Sequence, residues 1–145
     1  MTHQDTRDLD VDVAIIGAGT GGMAAYREVR KHTDRIALID GGALGTTCAR
    51  VGCMPSKLLI AAADARHGAE DVAGFGLVSS GIGVDGKAVM RRVRDERDRF
   101  VGFVLDAVDS FDPAHLLRHQ ARFEDDQTLK LDDGRRVRAG AIVIA

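Results

Sequence analysis

The sequence has few cysteines, few prolines, little net charge and no long hydrophobic segment. Two cysteines in 145 residues are too few for a disulfide-stapled scaffold, and two prolines beside 17 glycines argue against a disordered Pro/Gly-rich tract. The net charge of -2 argues against nucleic acid or an anionic membrane as the main partner. No apolar run approaches the ~18 residues of a membrane span, and the polar N-terminus lacks the apolar core of a signal peptide. We therefore expect one globular domain in the cytoplasm.

The order of the apolar patterns predicts an α/β fold that begins with a β-α-β unit. Residues 11–17 and 35–40 are short β-branched runs typical of buried parallel strands, and helical spacing over residues 20–32 joins them. A second helix is expected from about Pro55 to Val72. A longer amphipathic helix is expected over residues 87–110, with its charged residues on the solvated face.

The last third of the sequence changes to a strand-like period. Residues 116–123 and 128–131 predict strands, residues 132–134 a turn, and residues 135–138 a returning strand. The apolar run 141–145 predicts one more buried strand. Since a domain rarely ends on such a strand, we expect the chain to be a fragment of a larger protein. The expected fold class is α/β, with a Rossmann-type parallel sheet, helices and an antiparallel β-meander.

Glycines 17, 19 and 22 fit the pattern G-x-G-x-x-G between the first predicted strand and helix. In this pattern Gly17 allows a tight turn, Gly19 lets the backbone approach a pyrophosphate, and Gly22 lets the helix lie close to the strand. The helix N-terminus adds free N–H groups and a partial positive charge. Asp40 ends the second strand, where an acid binds a ribose diol and disfavours NADP. The pattern predicts dinucleotide binding and leaves FAD and NAD(P) open, with a purely structural turn as the alternative.

Cys48 and Cys53 stand five positions apart, just before Pro55. Along a regular helix that separation spans ~7.5 Å, beyond the ~4.4–6.8 Å between the Cα atoms of a disulfide. The two can pair only where the backbone is distorted, and Gly52 supplies that freedom. A loop of six residues would gain only ~2 kcal/mol from a disulfide, which favours a redox couple over a structural staple. Cys53 also lies at a predicted helix N-terminus near Lys57, surroundings typical of reactive cysteines.

Two other interpretations of the cysteines stay open. His115 and His119 are candidates to complete a zinc site with Cys48 and Cys53, although a long segment separates the two pairs and the histidines fall on a predicted strand. The other interpretation is two unpaired structural cysteines. All five histidines lack a catalytic context in the sequence, and we expect them at the surface.

Residues 45–57, GTTCARVGCMPSK, lie downstream of the glycine pattern and closely resemble the redox motif of the flavoprotein disulfide reductases. This is the pyridine nucleotide-disulfide oxidoreductase family, which includes dihydrolipoamide dehydrogenase, glutathione reductase and mercuric reductase. The resemblance covers about residues 12–145 and extends to the segments RHQARF and AIVIA. Two positions depart from the family. Thr46 stands where a second glycine is usual, and His119 stands where glycine is frequent.

The resemblance implies specific roles for the motif residues. Cys53 would be the charge-transfer thiol against the flavin, Cys48 the interchange thiol that attacks the substrate, and Lys57 a cation near flavin N5. The bound dinucleotide would be FAD. The residues implied along it are Gly17, Gly19, Thr20, Gly21, Gly22, Asp40, Gly45, Thr46, Thr47, Lys57, and the backbone of Gln120 and Ala121 at the adenine.

The implied activity is electron transfer between NAD(P)H and a lipoamide-like dithiol or disulfide through FAD and the Cys48–Cys53 pair. The resemblance is greatest to dihydrolipoamide dehydrogenase, with mercuric reductase or another disulfide reductase as the alternative. A non-catalytic FAD- or nucleotide-binding module is the alternative from another class. The family is homodimeric, and its NAD(P)-binding and dimer-interface domains have no counterpart in these 145 residues. We therefore expect this N-terminal FAD-domain portion to be inactive alone. We expect no metal site in it.

Overall fold

The computed structural model describes residues 8–78 and 80–145, so the polar N-terminal segment 1–7 lies outside the described residues. The described elements are, in chain order, β1 (Leu9–Ile16), α1 (Thr20–Val29), β2 (Ile36–Ile39), α2 (Thr47–Arg50), α3 (Cys53–Glu70), a short 3-10 helix (Asp71–Phe75), α4 (Gly86–Asp109), β3 (Leu116–Leu117), β4 (Ala121–Phe123), β5 (Thr128–Leu131) and β6 (Arg136–Ile144). The chain divides into two compact units. The first contains the residues up to Thr46 and Leu105–Ala145, and the second contains Thr47–Val104.

The strands of the first unit form one sheet in the order β3-β2-β1-β6-β5-β4. β1 runs parallel to both β2 and β6, and β2 runs parallel to β3. β5 is antiparallel to β6 and to β4. This arrangement confirms the predicted Rossmann-type sheet with an antiparallel meander. In such sheets a ligand binds beyond the carboxyl ends of the strands, at the point where the strand order reverses. Here that point follows β1, at Gly17.

The sheet buries apolar side chains on both of its faces. Ala14 and Ile39 belong to one core cluster, whereas their neighbours Ile15 and Leu38 belong to the other, together with Tyr26 of α1. The split follows from strand geometry, because successive side chains point to opposite faces. Each fully buried Leu or Ile contributes ~1.5–3 kcal/mol relative to an exposed one. Burial on two faces is why β1 and β2 appear in the sequence as continuous apolar runs.

The second unit is helical, and its core is thin. None of the described α3 side chains is fully buried, whereas Val93 of α4 is. Apolar residues Leu58, Ala62, Ala65, Ala69 and Val72 recur at helical spacing, which predicts one buried stripe. Leu58 and Ala62 are half-buried, but Ala65 is exposed, so this prediction is wrong at Ala65. No helix of the described residues has the length and hydropathy to cross a bilayer.

The meander differs from the prediction at two places. The strand predicted over residues 116–123 is two short strands, because the N–H of His119 turns back to the carbonyl of Leu117 at 3.0 Å. The strands predicted over 135–138 and 141–145 are the single strand β6, which pairs with β1 along its length. The prediction that residues 141–145 are buried is wrong at Ile144, whose exposed fraction is 72%.

The prediction of surface histidines is wrong for His115, which is buried with an exposed fraction of 8%. Its Nδ1 lies 2.9 Å from the hydroxyl of Tyr26, and the Tyr26 ring stacks on Phe111 with centroids 4.2 Å apart. The N–H of Asp112 donates to the same hydroxyl at 3.2 Å. A buried imidazole needs such a partner, so His115 serves the core of the first unit.

Candidate functional site

Glycine is required for steric reasons at two positions, one in the turn after β1 and one in the first turn of α1. Gly17 has φ +99°, and a Cβ there would lie 2.3 Å from the carbonyl oxygen of Ala145. A Cβ on Gly22 would lie 1.7 Å from the carbonyl oxygen of Gly17. The turn and the start of α1 are therefore in backbone contact. This is the close helix–strand packing that the glycine pattern predicts.

Gly19 is different, because a Cβ there would meet no heavy atom of the described residues within 4 Å. It is the N-cap of α1, and no side chain in the described part of the chain caps this helix end. The first-turn N–H groups, including those of Thr20, Gly21 and Gly22, have no partner within a helix. Free amides and a partial positive charge at an open helix end suit a phosphate group.

Asp40 follows β2 and connects two loops through its carboxylate. Its Oδ2 accepts a hydrogen bond from the N–H of Ala18 at 2.7 Å, and its Oδ1 accepts one from the N–H of Gly42 at 2.7 Å. The side chain thus fixes the turn after β1 to the loop after β2. Each carboxylate oxygen keeps a further lone pair, so Asp40 can still accept hydrogen bonds from a ribose.

Gln120 and Ala121 lie beside the loop after β2. A Cβ on Gly41 would lie 2.8 Å from the backbone nitrogen of Gln120, so the two backbones are in contact. The N–H of Gln120 donates to Asp132 Oδ2 at 3.2 Å, and its carbonyl accepts from the N–H of Asp132 at 3.0 Å. Ala121 is paired with Leu131 in the sheet. The sequence predicted only a turn at Asp132 and did not predict its contact with Gln120. His119 was the one nearby titratable residue that the sequence had singled out.

Thr46 is the only non-glycine residue with positive φ among the described residues. Its φ is +59°, and it follows Gly45, whose φ is +107°. A β-branched side chain is disfavoured in this left-handed region, so the departure from the family's usual glycine is a strained position. Thr46 is nearly buried, with an exposed fraction of 9%. Thr47, which begins α2, is exposed.

The helix carrying the cysteines is interrupted between them. α2 ends at Arg50 and α3 begins at Cys53, with Gly52 as the N-cap at φ -116° and ψ -103°. The N–H groups of Val51 and Gly52 both donate to the carbonyl of Thr47, at 3.0 and 2.9 Å. The structure confirms the predicted backbone distortion, and it occurs at Gly52.

The interruption brings the two cysteines into contact. Both are free thiols, with Cys48 half-buried and Cys53 exposed. A hydrogen bond with Cys53 raises the pKa of the Cys48 thiol, and burial raises that pKa further. Lys57 lies one helical turn after Cys53 on α3 and is exposed. A pair of thiols in hydrogen-bond contact can be oxidised to a disulfide.

The described residues give the zinc interpretation no support. Within the residues that the structure describes, no group of three or more His, Cys, Asp or Glu side chains could hold a metal ion. His115 is bound to Tyr26, and His119 lies against Asp132.

A family model described as pyridine nucleotide-disulphide oxidoreductase matches residues 11–145. The mercuric reductase of Streptomyces lividans is 47% identical over 64 residues, which is 44% of this chain and 14% of that protein. The dihydrolipoyl dehydrogenase of Chlorobaculum parvum is 30% identical over 94 residues, or 65% of this chain and 20% of that protein.

A solved structure shares the fold. It is the Cu(II) complex of the HOCl-induced flavoprotein disulfide reductase RclA from Escherichia coli, with a TM-score of 0.65 at 21% identity. The match covers 92% of this chain and 27% of that one. The chain thus spans about a quarter or less of the length of the proteins it matches here.

Proposed function

Because the chain belongs to the pyridine nucleotide-disulphide oxidoreductase family, we propose that it is the FAD-binding portion of an enzyme that uses Cys48 and Cys53 as its redox pair. The cofactors of the family are FAD and, for the complete enzyme, NAD(P). The observation that carries the proposal is the contact between the two thiols at the break between α2 and α3. The NAD(P)-binding and dimer-interface domains would lie in the rest of a cytoplasmic homodimer.

The residues of the first unit fit the diphosphate and adenosine of FAD. The open space at Gly19 and the uncapped N-terminus of α1 leave room and N–H groups for a pyrophosphate. Asp40 is fixed by Ala18 and Gly42 with lone pairs to spare for the ribose. Gly45 and Thr46 would hold the chain that follows the pyrophosphate. When bound, FAD supplies the two-electron exchange with NAD(P)H.

The chemistry proposed for the chain itself is thiol–disulfide exchange. The Cys48 thiolate attacks one sulfur of a disulfide substrate, and the other substrate sulfur leaves as a thiol after taking up a proton. The Cys53 thiolate then attacks the Cys48 sulfur, which releases the second product thiol and leaves a Cys48–Cys53 disulfide. Two substrate sulfurs gain two electrons and two protons, and the protein's two thiols lose them. NAD(P)H returns these electrons in the complete enzyme.

A lipoamide-like disulfide is the substrate we propose, as in dihydrolipoamide dehydrogenase. The redox motif and the dihydrolipoyl dehydrogenase match over 65% of the chain support this choice. A second candidate is Hg(II), favoured by the 47% identity to a mercuric reductase over 64 residues. The same pair of thiolates would then bind the metal ion as substrate. Rates of NAD(P)H oxidation by the complete enzyme with lipoamide and with Hg(II) distinguish the two.

The dithiol chemistry can be tested without turnover. The reduced chain is mixed with oxidised lipoamide, and the products are followed by peptide mass spectrometry. We expect one Cys48–Cys53 disulfide and one dihydrolipoamide per chain. Cys53→Ser should stop at a mixed disulfide on Cys48, and Cys48→Ser should prevent formation of the internal disulfide. His67→Gln, a surface change in the same unit, is the matched control. Equal reactivity of both cysteine variants with the parent chain would show that the two thiols do not act as a pair.

A further inference from the structure

His119 lies between two carboxylates of the turn that follows β5. Its Nδ1 is 2.7 Å from Asp132 Oδ1, and its Nε2 is 3.3 Å from Asp133 Oδ2. A neutral imidazole carries a single N–H and can donate to only one of them, whereas the protonated ring donates to both. The geometry therefore fits the imidazolium. Arg135 also lies here, since its Nε donates to Asp133 Oδ2 at 2.7 Å. Arg122 and Lys130 line a cavity together with Asp132 and Gln120.

Asp132 connects His119 to the backbone of Gln120. Its Oδ1 contacts His119, while its Oδ2 accepts the hydrogen bond from the Gln120 N–H at 3.2 Å. On the other side, the Gln120 backbone contacts Gly41, where an added Cβ would come within 2.8 Å. The adjacent Arg118 donates through its guanidinium to the carbonyl of Gly42. The segment 118–120 is thus held between the turn after β5 and the loop after β2.

We propose that His119 and Asp132 form a positioning pair for the adenosine end of the dinucleotide, active when His119 is protonated. The protonated ring fixes the Asp132 carboxylate, and the carboxylate fixes the backbone of Gln120. This inference rests on the proposed function, in which Gln120 and Ala121 meet the adenine. Its consequence is that nucleotide affinity falls as His119 loses its proton.

The charge state of Asp132 supports the proposal. The hydrogen bond with His119 lowers the pKa of Asp132, and the bond from the Gln120 amide lowers it further. The carboxylate therefore stays ionised near neutral pH. An imidazole that gives up one proton keeps a single N–H for two carboxylates, which weakens a charge-assisted contact.

Binding of ADP-ribose to the chain, measured by calorimetry between about pH 5.5 and about pH 8.5, tests the proposal in the range where a histidine titrates. ADP-ribose carries the adenosine and pyrophosphate and has no phosphate that titrates in this range. We expect the parent chain to bind about fivefold more tightly at the acid end, as suits the loss of one charge-assisted hydrogen bond. His119→Ala should bind weakly at every pH.

His119→Asn is the decisive variant, because its amide can replace Nδ1 as a neutral donor to Asp132. Because it carries no titrating group, it should abolish the pH dependence and bind at every pH about as tightly as the parent chain does at the alkaline end, which a merely structural loss would not do. His32→Gln, a surface histidine paired with Glu28, is the control. If the parent chain binds ADP-ribose but His119→Asn keeps the full pH dependence, the positioning role is wrong. If the parent chain binds no ADP-ribose at any pH, the proposed function fails instead. Circular dichroism of each variant confirms that it is folded.

Discussion

The carboxylate of Asp40 accepts a hydrogen bond from the backbone N–H of Ala18 at 2.7 Å, across two turns that are 22 residues apart in the chain. Ala18 is almost completely buried, with an exposed fraction of 1%, so its N–H depends on a protein partner. The acid that the sequence assigns to ribose recognition therefore also holds the glycine turn in place. One side chain therefore has both a proposed role in ribose binding and a role in the stability of the turn.

Replacing Asp40 should affect stability as well as nucleotide binding. Asp40→Ala removes the acceptor and leaves the Ala18 N–H unsatisfied, at a cost of ~1–3 kcal/mol in the free energy of unfolding. Asp40→Asn keeps one carbonyl acceptor and should cost less. Urea unfolding measures both variants. If Asp40→Ala unfolds at the same urea concentration as the parent chain, Asp40 does not hold the glycine turn in place.

Gly19 and Gly22 should respond differently to the same substitution. Gly22→Ala places a Cβ 1.7 Å from the carbonyl oxygen of Gly17, and we expect it to lower the free energy of unfolding by about 3 kcal/mol or more. Gly19→Ala enters open space at an ordinary φ of -76°, and should leave the melting temperature nearly unchanged.

The Gly19 variant should nevertheless lose affinity for ADP-ribose, by roughly tenfold or more, because its methyl group occupies the space through which a pyrophosphate approaches the backbone. Thermal melts and ADP-ribose calorimetry on both Gly19→Ala and Gly22→Ala separate a loss of stability from a loss of affinity. Unchanged affinity in Gly19→Ala would mean that the open space at the N-terminus of α1 is not a phosphate site.

Thr46 allows a test of backbone strain that is free of its side-chain contacts. Thr46→Ala and Thr46→Gly both delete the hydroxyl and the methyl group, but only glycine accepts φ +59° without strain. We expect the glycine variant to be more stable than the alanine variant by about 1 kcal/mol, the reverse of the usual order. Chemical denaturation of the pair measures the difference. A more stable alanine variant would contradict the left-handed conformation.

The Cys48 thiol should become more reactive when its partner is removed. A hydrogen bond with Cys53 raises the pKa of Cys48, so Cys53→Ala lowers that pKa toward its ordinary value and increases the thiolate fraction near pH 8. Site-resolved alkylation by iodoacetamide should then modify Cys48 several-fold faster than in the parent chain. The unfolded chain provides the reference rate. A slower rate in Cys53→Ala would show that the thiols are not in contact.

The ion pair between Glu124 and Arg136 should support the meander in a pH-dependent way. Arg136 donates to both oxygens of Glu124, at 2.5 and 2.9 Å, and joins the end of β4 to the start of β6 across β5. The hydrogen bond from Arg136 lowers the pKa of Glu124. Its contribution is therefore complete above the unfolded pKa of about 4.3 and is lost as the pH falls through the lower, folded value.

Glu124→Gln should accordingly flatten the acid limb of the stability curve, as measured by thermal melts between about pH 2.5 and about pH 7. Glu96→Gln, which removes the carboxylate of the surface pair with Arg99 on α4, is the matched control. Equal acid sensitivity of the parent chain and Glu124→Gln would contradict the prediction.

The parts of the fold that depend on local sequence were predictable. Gly17 and Gly22 are required where the turn after β1 meets the start of α1, and the apolar runs of β1 and β2 result from burial on both sheet faces. The mismatch between helical rise and disulfide span predicted that the two cysteines could pair only where the backbone is distorted, and the break lies at Gly52. Each of these features is visible in the sequence as a pattern of residues that are neighbours in the chain.

Long-range contacts were not predictable in the same way. His115 is buried because Tyr26, 89 residues earlier, offers its hydroxyl, and no local pattern encodes that partner. The link from Asp132 to Gln120 forms because β5 folds back beside β4, so that the residue after β5 meets the residue before β4. Thr46 has a left-handed backbone conformation that a β-branched residue disfavours. The residue type alone therefore indicates an extended or right-handed conformation there.

The break between α2 and α3 assembles its sulfur pair from six consecutive residues, independently of any strand pairing. Closing so short a segment costs little chain entropy. The sheet, by contrast, requires β6 to insert beside β1, which lies far earlier in the chain. During synthesis the segment that carries the two thiols therefore leaves the ribosome long before β6, which joins the sheet that carries the proposed nucleotide site.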